Sequence, residues 1–202
     1  MGRPVKFDRD HAVKIVMNEI WKHGFEACSV KAISEKLGIT RSSFYNAFET
    51  REALFIEALD LYFSQSPDRV LTQIDSETRV IPLLTGMFKE VCRARASDPE
   101  GRGCMAINSV AELVGVNKPL GPMLEKAVLN SLNRLERLLR QAAATGEIED
   151  GGNLRDKALA LQNLLIGVNV LSKVVRSERD LWAASRQTLT GLGLYAEEGD
   201  AR

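Results

Sequence analysis

Thr40, Arg41, Ser42 and Ser43 stand in a row, with Tyr45 and Asn46 just beyond them. Hydroxyls so close together are poor core material and only moderate helix formers. On a short helix they would make a hydrogen-bonding face. Arg can grip a guanine edge or a phosphate, Ser and Thr can contact either, and Asn can read adenine. Phe44 and Phe48, one helical turn apart, would anchor the opposite side. A short capped helix also needs polar residues outward whatever it does, so the cluster alone leaves both a docking face and an ordinary solvated face open.

Cys104 is the second candidate. In "GRGCMAIN" it follows Arg102 and sits near an expected helix N-terminus, where charge and dipole would favour thiolate. The alternative is a small buried thiol packed under that helix. A nucleophilic enzyme would also need a base, and the only histidines are His11 and His23, far away in the first helix. The chain has no phosphate loop, no HExxH and no clustered ligand spacing. Its expected inventory therefore holds no catalytic residue, metal or cofactor.

These residues need elements to position them, and helical period dominates throughout. The first helix spans roughly Asp8 to His23, with Gly24 as its stop. Ser29 caps a second to about Leu37, with Ala32, Ile33 and Leu37 turned inward and Gly38 closing it. Thr40 caps a third to about Phe48, and Thr50 a fourth. Longer helices follow over Thr78 to Ala96, Cys104 to Val114, Leu120 to Ala144, Leu154 to Arg176 and Leu181 to Ala196. Turn chemistry at Asp98-Pro99, Lys118-Pro119 and Asp150-Gly151-Gly152 separates them, and a polar tail is expected from Glu197. The fold class is all-α. An N-terminal helix-turn-helix unit over residues 1–50 leads through helix four (50–66) into a larger body over 51–202.

At 202 residues, 45% hydrophobic and 27% charged, the chain reads as globular, and its zero formal net charge lacks the basic excess common in nucleic-acid binders. The first 48 residues are mildly basic, with eight Lys and Arg against five Asp and Glu. The three cysteines form no paired pattern and fit a reducing cytosol. Gly2-Arg3-Pro4 is followed by no apolar run, so no signal peptide is expected. The most apolar stretch, Ala158 to Val175, is too interrupted by polar residues to cross a membrane. A cytoplasmic protein is the expectation.

Helix, glycine-containing turn, helix is the outline of a DNA-binding helix-turn-helix, although ordinary helical proteins contain it too. At these residues the sequence resembles the TetR family of bacterial transcriptional regulators. The resemblance is carried by Gly24-Phe25, Cys28-Ser29-Val30, Gly38-Ile39-Thr40, Phe44-Tyr45-Asn46-Ala47-Phe48 and Arg51-Glu52-Ala53-Leu54-Phe55. It is strong over about the first sixty residues, beyond which length and helical character agree. Ser43 stands where the family often has Gly, and Arg51 where Lys is usual. The resemblance implies a DNA-binding set of Ser29, Lys31, Thr40, Arg41, Ser42, Ser43, Tyr45, Asn46 and Arg51. It also implies an inverted-repeat operator, a homodimer and a small-molecule inducer that releases a repressor.

The body offers weaker signals. Phe88, Cys92, Cys104, Met105, Asn108, Glu112, Met123 and Asn163 are aromatic, soft or polar residues on otherwise apolar helices, a mixture suited to a ligand pocket. The segment around Cys104 resembles an Arg-Gly-Cys element in a family branch that senses electrophiles through cysteine. The helix from Leu154 is apolar on nearly all sides and must be covered on more than one. With the last helix it forms a candidate dimer interface through Leu161, Leu165, Val168, Leu189 and Leu192. A central core helix in a monomer is the other possibility.

Overall fold

A computed structural model describes residues 8–149 and 153–197 of the protein. In chain order the helices are α1 (Arg9–His23), α2 (Val30–Leu37), α3 (Arg41–Phe48), α4 (Arg51–Gln65), α5 (Val80–Ala96), α6 (Met105–Leu113), α7 (Gly121–Ala144), α8 (Leu154–Leu171) and α9 (Glu178–Gly191). A 3-10 turn, Pro67–Thr72, joins α4 to α5, and the described residues contain no strand. The expected turn at 150–152 and the tail beyond Glu197 lie outside the described residues.

The small N-terminal helices start where hydroxyls and carboxylates can cap them. Asp8 accepts from the His11 amide, Ser29 from Ala32, Thr40 from Ser43 and Thr50 from Ala53. Gly38 ends α2 at φ 65°, a left-handed conformation that favours glycine. A remote carboxylate performs the same service for α5: Glu147, just beyond α7, accepts from the amides of Val80 and Ile81 at 2.8 and 3.1 Å. This fixes the start of α5 two residues later than the Thr78 expected from the sequence.

Two apolar cores result. One gathers α1 to α4 around Phe25, Phe44, Phe48, Leu54 and Phe55, and it also takes in Met105 and Leu113 from α6 and Leu120 and Leu124 at the start of α7. The other packs α5, α7, α8 and α9 around Phe88, Leu135, Leu139, Leu161 and Leu181. Helix α6 therefore packs into the head although it follows α5 in the chain. Ala32 departs from expectation, being exposed on α2, while Ile33 carries the buried contact.

The last two helices differ from their sequence reading in extent and in facing. Helix α8 ends at Leu171 instead of Arg176, and the guanidinium of Arg176 turns back to the carbonyls of Asp98, Pro99 and Glu100. Helix α9 begins at Glu178, earlier than expected, with Ser177 accepting from the Asp180 amide. Leu161, Leu165, Val168 and Leu189 are buried within the chain itself, and Leu192 packs partly against the same core. Those four are core residues of one protomer and so do not form an outward interface, whereas Leu192 keeps part of its surface exposed. The exposed apolar face of this region is instead Leu159, Val170, Leu171 and Val174, the last 82% exposed.

Candidate nucleic-acid interface and effector cavity

Helix α3 has two sharply different faces. Phe44 and Phe48 are buried almost completely, while Arg41, Ser42, Ser43, Tyr45 and Asn46 are exposed. Tyr45 stands edge-on to Phe44 with ring centroids 5.5 Å apart, so its direction is set by a buried ring. Thr40 and Ser43 are committed in part to each other: the Thr40 hydroxyl accepts from the Ser43 amide and lies 2.9 Å from the Ser43 hydroxyl. Ser29 caps α2, and Lys31 is exposed one turn before Glu35. The structure thus gathers the expected polar residues of α2 and α3 on solvent-facing surface.

Arg51 is placed differently. Its guanidinium lies 3.9 Å over the Phe25 ring and donates weakly to the Phe25 carbonyl and the Glu26 carboxylate. It ties the start of α4 to the Phe25-Glu26 turn. Arg9 was missed by the sequence reading. It donates to the Ala47 carbonyl, pairs with Glu57 at 2.6 Å and covers the Phe48 ring, tying the start of α1 to the end of α3. Glu49 was also missed; it ends α3 at φ 61°, a strained conformation for a residue with a side chain. Arg9's role leaves no pattern in the sequence, because its partners Ala47, Phe48 and Glu57 lie far along the chain.

The pocket candidates do not converge. Phe88 and Cys92 are sealed in the second core, where burial pushes the Cys92 thiol up despite its contact with Ser185. Met105 is buried in the first core, Met123 packs against it, and Asn163 is exposed. Asn108 donates to the Arg102 carbonyl and receives Lys173. Glu112 faces the head: its carboxylate accepts from the amides of Phe25 and Glu26 at 3.0 and 2.9 Å. It also presses on Gly24, where an added Cβ would meet both carboxylate oxygens at 2.9 Å.

Of that set only Cys104 lines the apolar cavity between α4, α5, α6, α7 and α8, whose volume is about 70 Å³. Tyr62, Phe63, Val110 and Leu165 contribute to its walls, and the polar groups include Arg95, Gln162, Asn169, Ser66, Asp68 and Ser131. Arg95, only 5% exposed, donates from Nε to Asn169 Oδ1 at 2.6 Å and from Nη2 to the Tyr62 hydroxyl at 2.8 Å. Burial pushes the Tyr62 phenol well above its ordinary value, the neighbouring Cys104 adding to this and Arg95 opposing it. Cys104 itself is the residue before α6, and it is buried. Arg102, the expected source of charge beside it, is engaged elsewhere. Its guanidinium covers the Trp21 ring at 3.9 Å and pairs with Asp98. Cys28, the remaining cysteine, has its thiol raised to about 11, chiefly by burial.

A helix-turn-helix head with an exposed polar recognition helix, carried by a helical body with its own cavity, defines a class of transcriptional regulators. The chain belongs to the TetR family. The family model for bacterial regulatory proteins of the tetR family matches residues 17–58, and the tetracyclin repressor-like C-terminal domain matches residues 81–188. The chain is similar to the HTH-type transcriptional repressor ComR of Escherichia coli strain K12, with 26% identity over 189 residues, 93% of this chain and 90% of ComR. In structure it is similar to a cysteine mutant of the TetR family regulator CifR complexed with 26 bp double-strand operator DNA. That similarity has a TM-score of 0.82 at 25% identity and covers 94% of this chain and 98% of CifR. The reduced form of E. coli NemR shares the fold, with a TM-score of 0.71, 17% identity and coverage of 95% and 98%. No helix among the described residues is long and apolar enough to cross a membrane.

Proposed function

We propose that this regulator binds an inverted-repeat operator as a homodimer, represses transcription there, and is released when a small molecule occupies the cavity. One observation carries the reading: α4 and α6 each belong to both places. Helix α4 runs from Leu54 and Phe55 in the head core to Tyr62 and Phe63 on the cavity wall. Helix α6 runs from Ile107 and Val110 on the wall to Glu112, which holds the amides of the α1–α2 turn. A ligand that fits one spacing of these helices better than another shifts the head by that difference in affinity, and by no more. The repressor ComR and the operator-bound CifR mutant support the DNA-binding and repressing part.

In this reading residues 1–50 are the DNA-binding unit, and 51–202 the effector and dimer unit. Thr40, Arg41, Ser42, Ser43, Tyr45 and Asn46 meet the major groove and its phosphates, Ser29 and Lys31 the flanking backbone, and Arg51 holds the head in shape behind them. The second protomer covers the exposed apolar residues Leu159, Val170 and Val174. Cys104 is the position at which a small electrophile entering the cavity would add. Fluorescence anisotropy on operator and random DNA tests this directly. Tight binding only to an inverted repeat, relieved by an aldehyde or quinone in the wild type but not in Cys104→Ser, is the expected result. Equal affinity for random DNA sinks the operator reading, and an unchanged response in Cys104→Ser makes that thiol structural.

A further inference from the structure

Arg95 is a buried cation without a buried anion. Among the described residues no carboxylate lies within ion-pair distance of it, and its partners Asn169 and Tyr62 are both neutral acceptors. Its near neighbour Asp98 is engaged by Arg102, and Asp68 on the cavity wall accepts instead from the Ser66 hydroxyl. A guanidinium has five N–H donors, of which two are used here, so the Nη1 side remains open for planar, two-point recognition. Burying a charge is costly unless it is paired, and an anion in the cavity would remove that cost. A second group on the same wall is also unsatisfied: Oε1 of Gln162, a residue 7% exposed, has no hydrogen-bond partner.

We propose that the cavity is a binding site for a short hydroxycarboxylate, its carboxylate on Arg95 and its hydroxyl donating to Gln162. The volume sets the size. About 70 Å³ is roughly half the ~150 Å³ cavity that accommodates benzene, which suits an acid of two or three carbons. The surrounding wall is largely apolar, which makes the charge pairing count. Asn169 and Tyr62 fix the guanidinium plane, so little freedom is lost when the anion docks.

This inference rests on reading the cavity as the effector site, and two measurements keep the two apart. Calorimetry on the full-length protein without DNA, at constant ionic strength in chloride, compares glycolate, acetate and the uncharged glycolamide. Glycolate should bind best, with glycolamide at least about tenfold weaker. Arg95→Gln should lose glycolate by a similar factor, and Arg95→Lys should retain part of it. Glycolamide binding as tightly as glycolate overturns the proposal, as does a folded Arg95→Gln that binds glycolate unchanged. The acid–amide comparison on wild type requires no variant to fold. An operator titration with and without glycolate then addresses release: binding without release leaves the carboxylate site standing and counts against the effector reading alone.

Discussion

Helices α3 and α8 solve opposite problems with the same residue types. The eight residues of α3 bury two phenylalanines and turn every hydrogen-bonding side chain to solvent. The eighteen residues of α8 bury Gln162 and Asn169 among leucines and leave Leu159 and Val170 outside. In the head, polar groups lie where a large charged partner can reach them. In the body they lie where only something small can. The contrast shows that an outward apolar face and an inward polar one are as informative as an exposed basic cluster, because each is costly until a partner covers it.

The largest test of that contrast is a charge on either side of α8. Leu165→Glu, facing inward, should destabilise one protomer by more than ~4 kcal/mol, seen as loss of the cooperative melt in circular dichroism. Leu159→Glu, facing outward, should keep its fold and shift the sedimentation profile toward monomer. If the outward change unfolds the protein and the inward one dissociates it, the facing is reversed. Next in size is Phe48→Ala, which removes a ring that holds α3 in place. It should cost about 3–5 kcal/mol and abolish operator binding, and a variant that melts and binds as wild type would mean the recognition helix is held by something else.

Smaller effects probe the link between the two regions. Glu112→Gln weakens the acceptor for the Phe25 and Glu26 amides by removing its charge, at a cost of about 1–3 kcal/mol. Hydrogen exchange at those two amides should quicken while the second core stays protected; equal protection everywhere would show that α6 does not hold the turn. Arg41→Ala should cost about 1–3 kcal/mol at one operator position if it reads a base edge. A uniform loss with a shallower salt dependence would assign it to phosphate.

The smallest effect expected is at Asp98. Burial favours its neutral form, but hydrogen bonds and charge from Arg102 outweigh that and hold its carboxyl below the usual range. A depressed folded value means the stabilisation is complete above the unfolded value of about 3.9 and is lost as pH falls through the folded one. Asp98→Asn should therefore be less stable than wild type near neutrality, with the gap closing in acid. A gap that stays constant down to about pH 2 would remove Arg102 as its cause.

Local chemistry made much of the head legible before any fold was known. Ser29, Thr40 and Thr50 cap helices because a hydroxyl before an apolar run satisfies orphan amides within three residues, and Gly38 closes its turn for an equally local reason. Phe44 and Phe48 face inward because their spacing and the core beneath agree. Nothing local placed Arg9 on Phe48, Arg51 on Phe25 or Glu112 on the α1–α2 turn, since each partner lies from 26 to 87 residues away. The body suffered most from this. A helix apolar on nearly all sides announces that it needs two covers, but periodicity alone does not say which side its own protomer takes. Leu161, Leu165 and Val168 were read as interface for that reason. The cavity was hidden for the same reason: Tyr62, Arg95, Gln162 and Asn169 come from three helices, and only their packing brings a buried guanidinium and an unpartnered amide oxygen to the wall of one cavity. The sequence alone determined the small N-terminal helices, their caps and the polar face of α3, because those follow from neighbours along the chain. Tertiary structure alone decided which apolar face is inside and where a ligand could sit, because burial is a property of what packs against a residue.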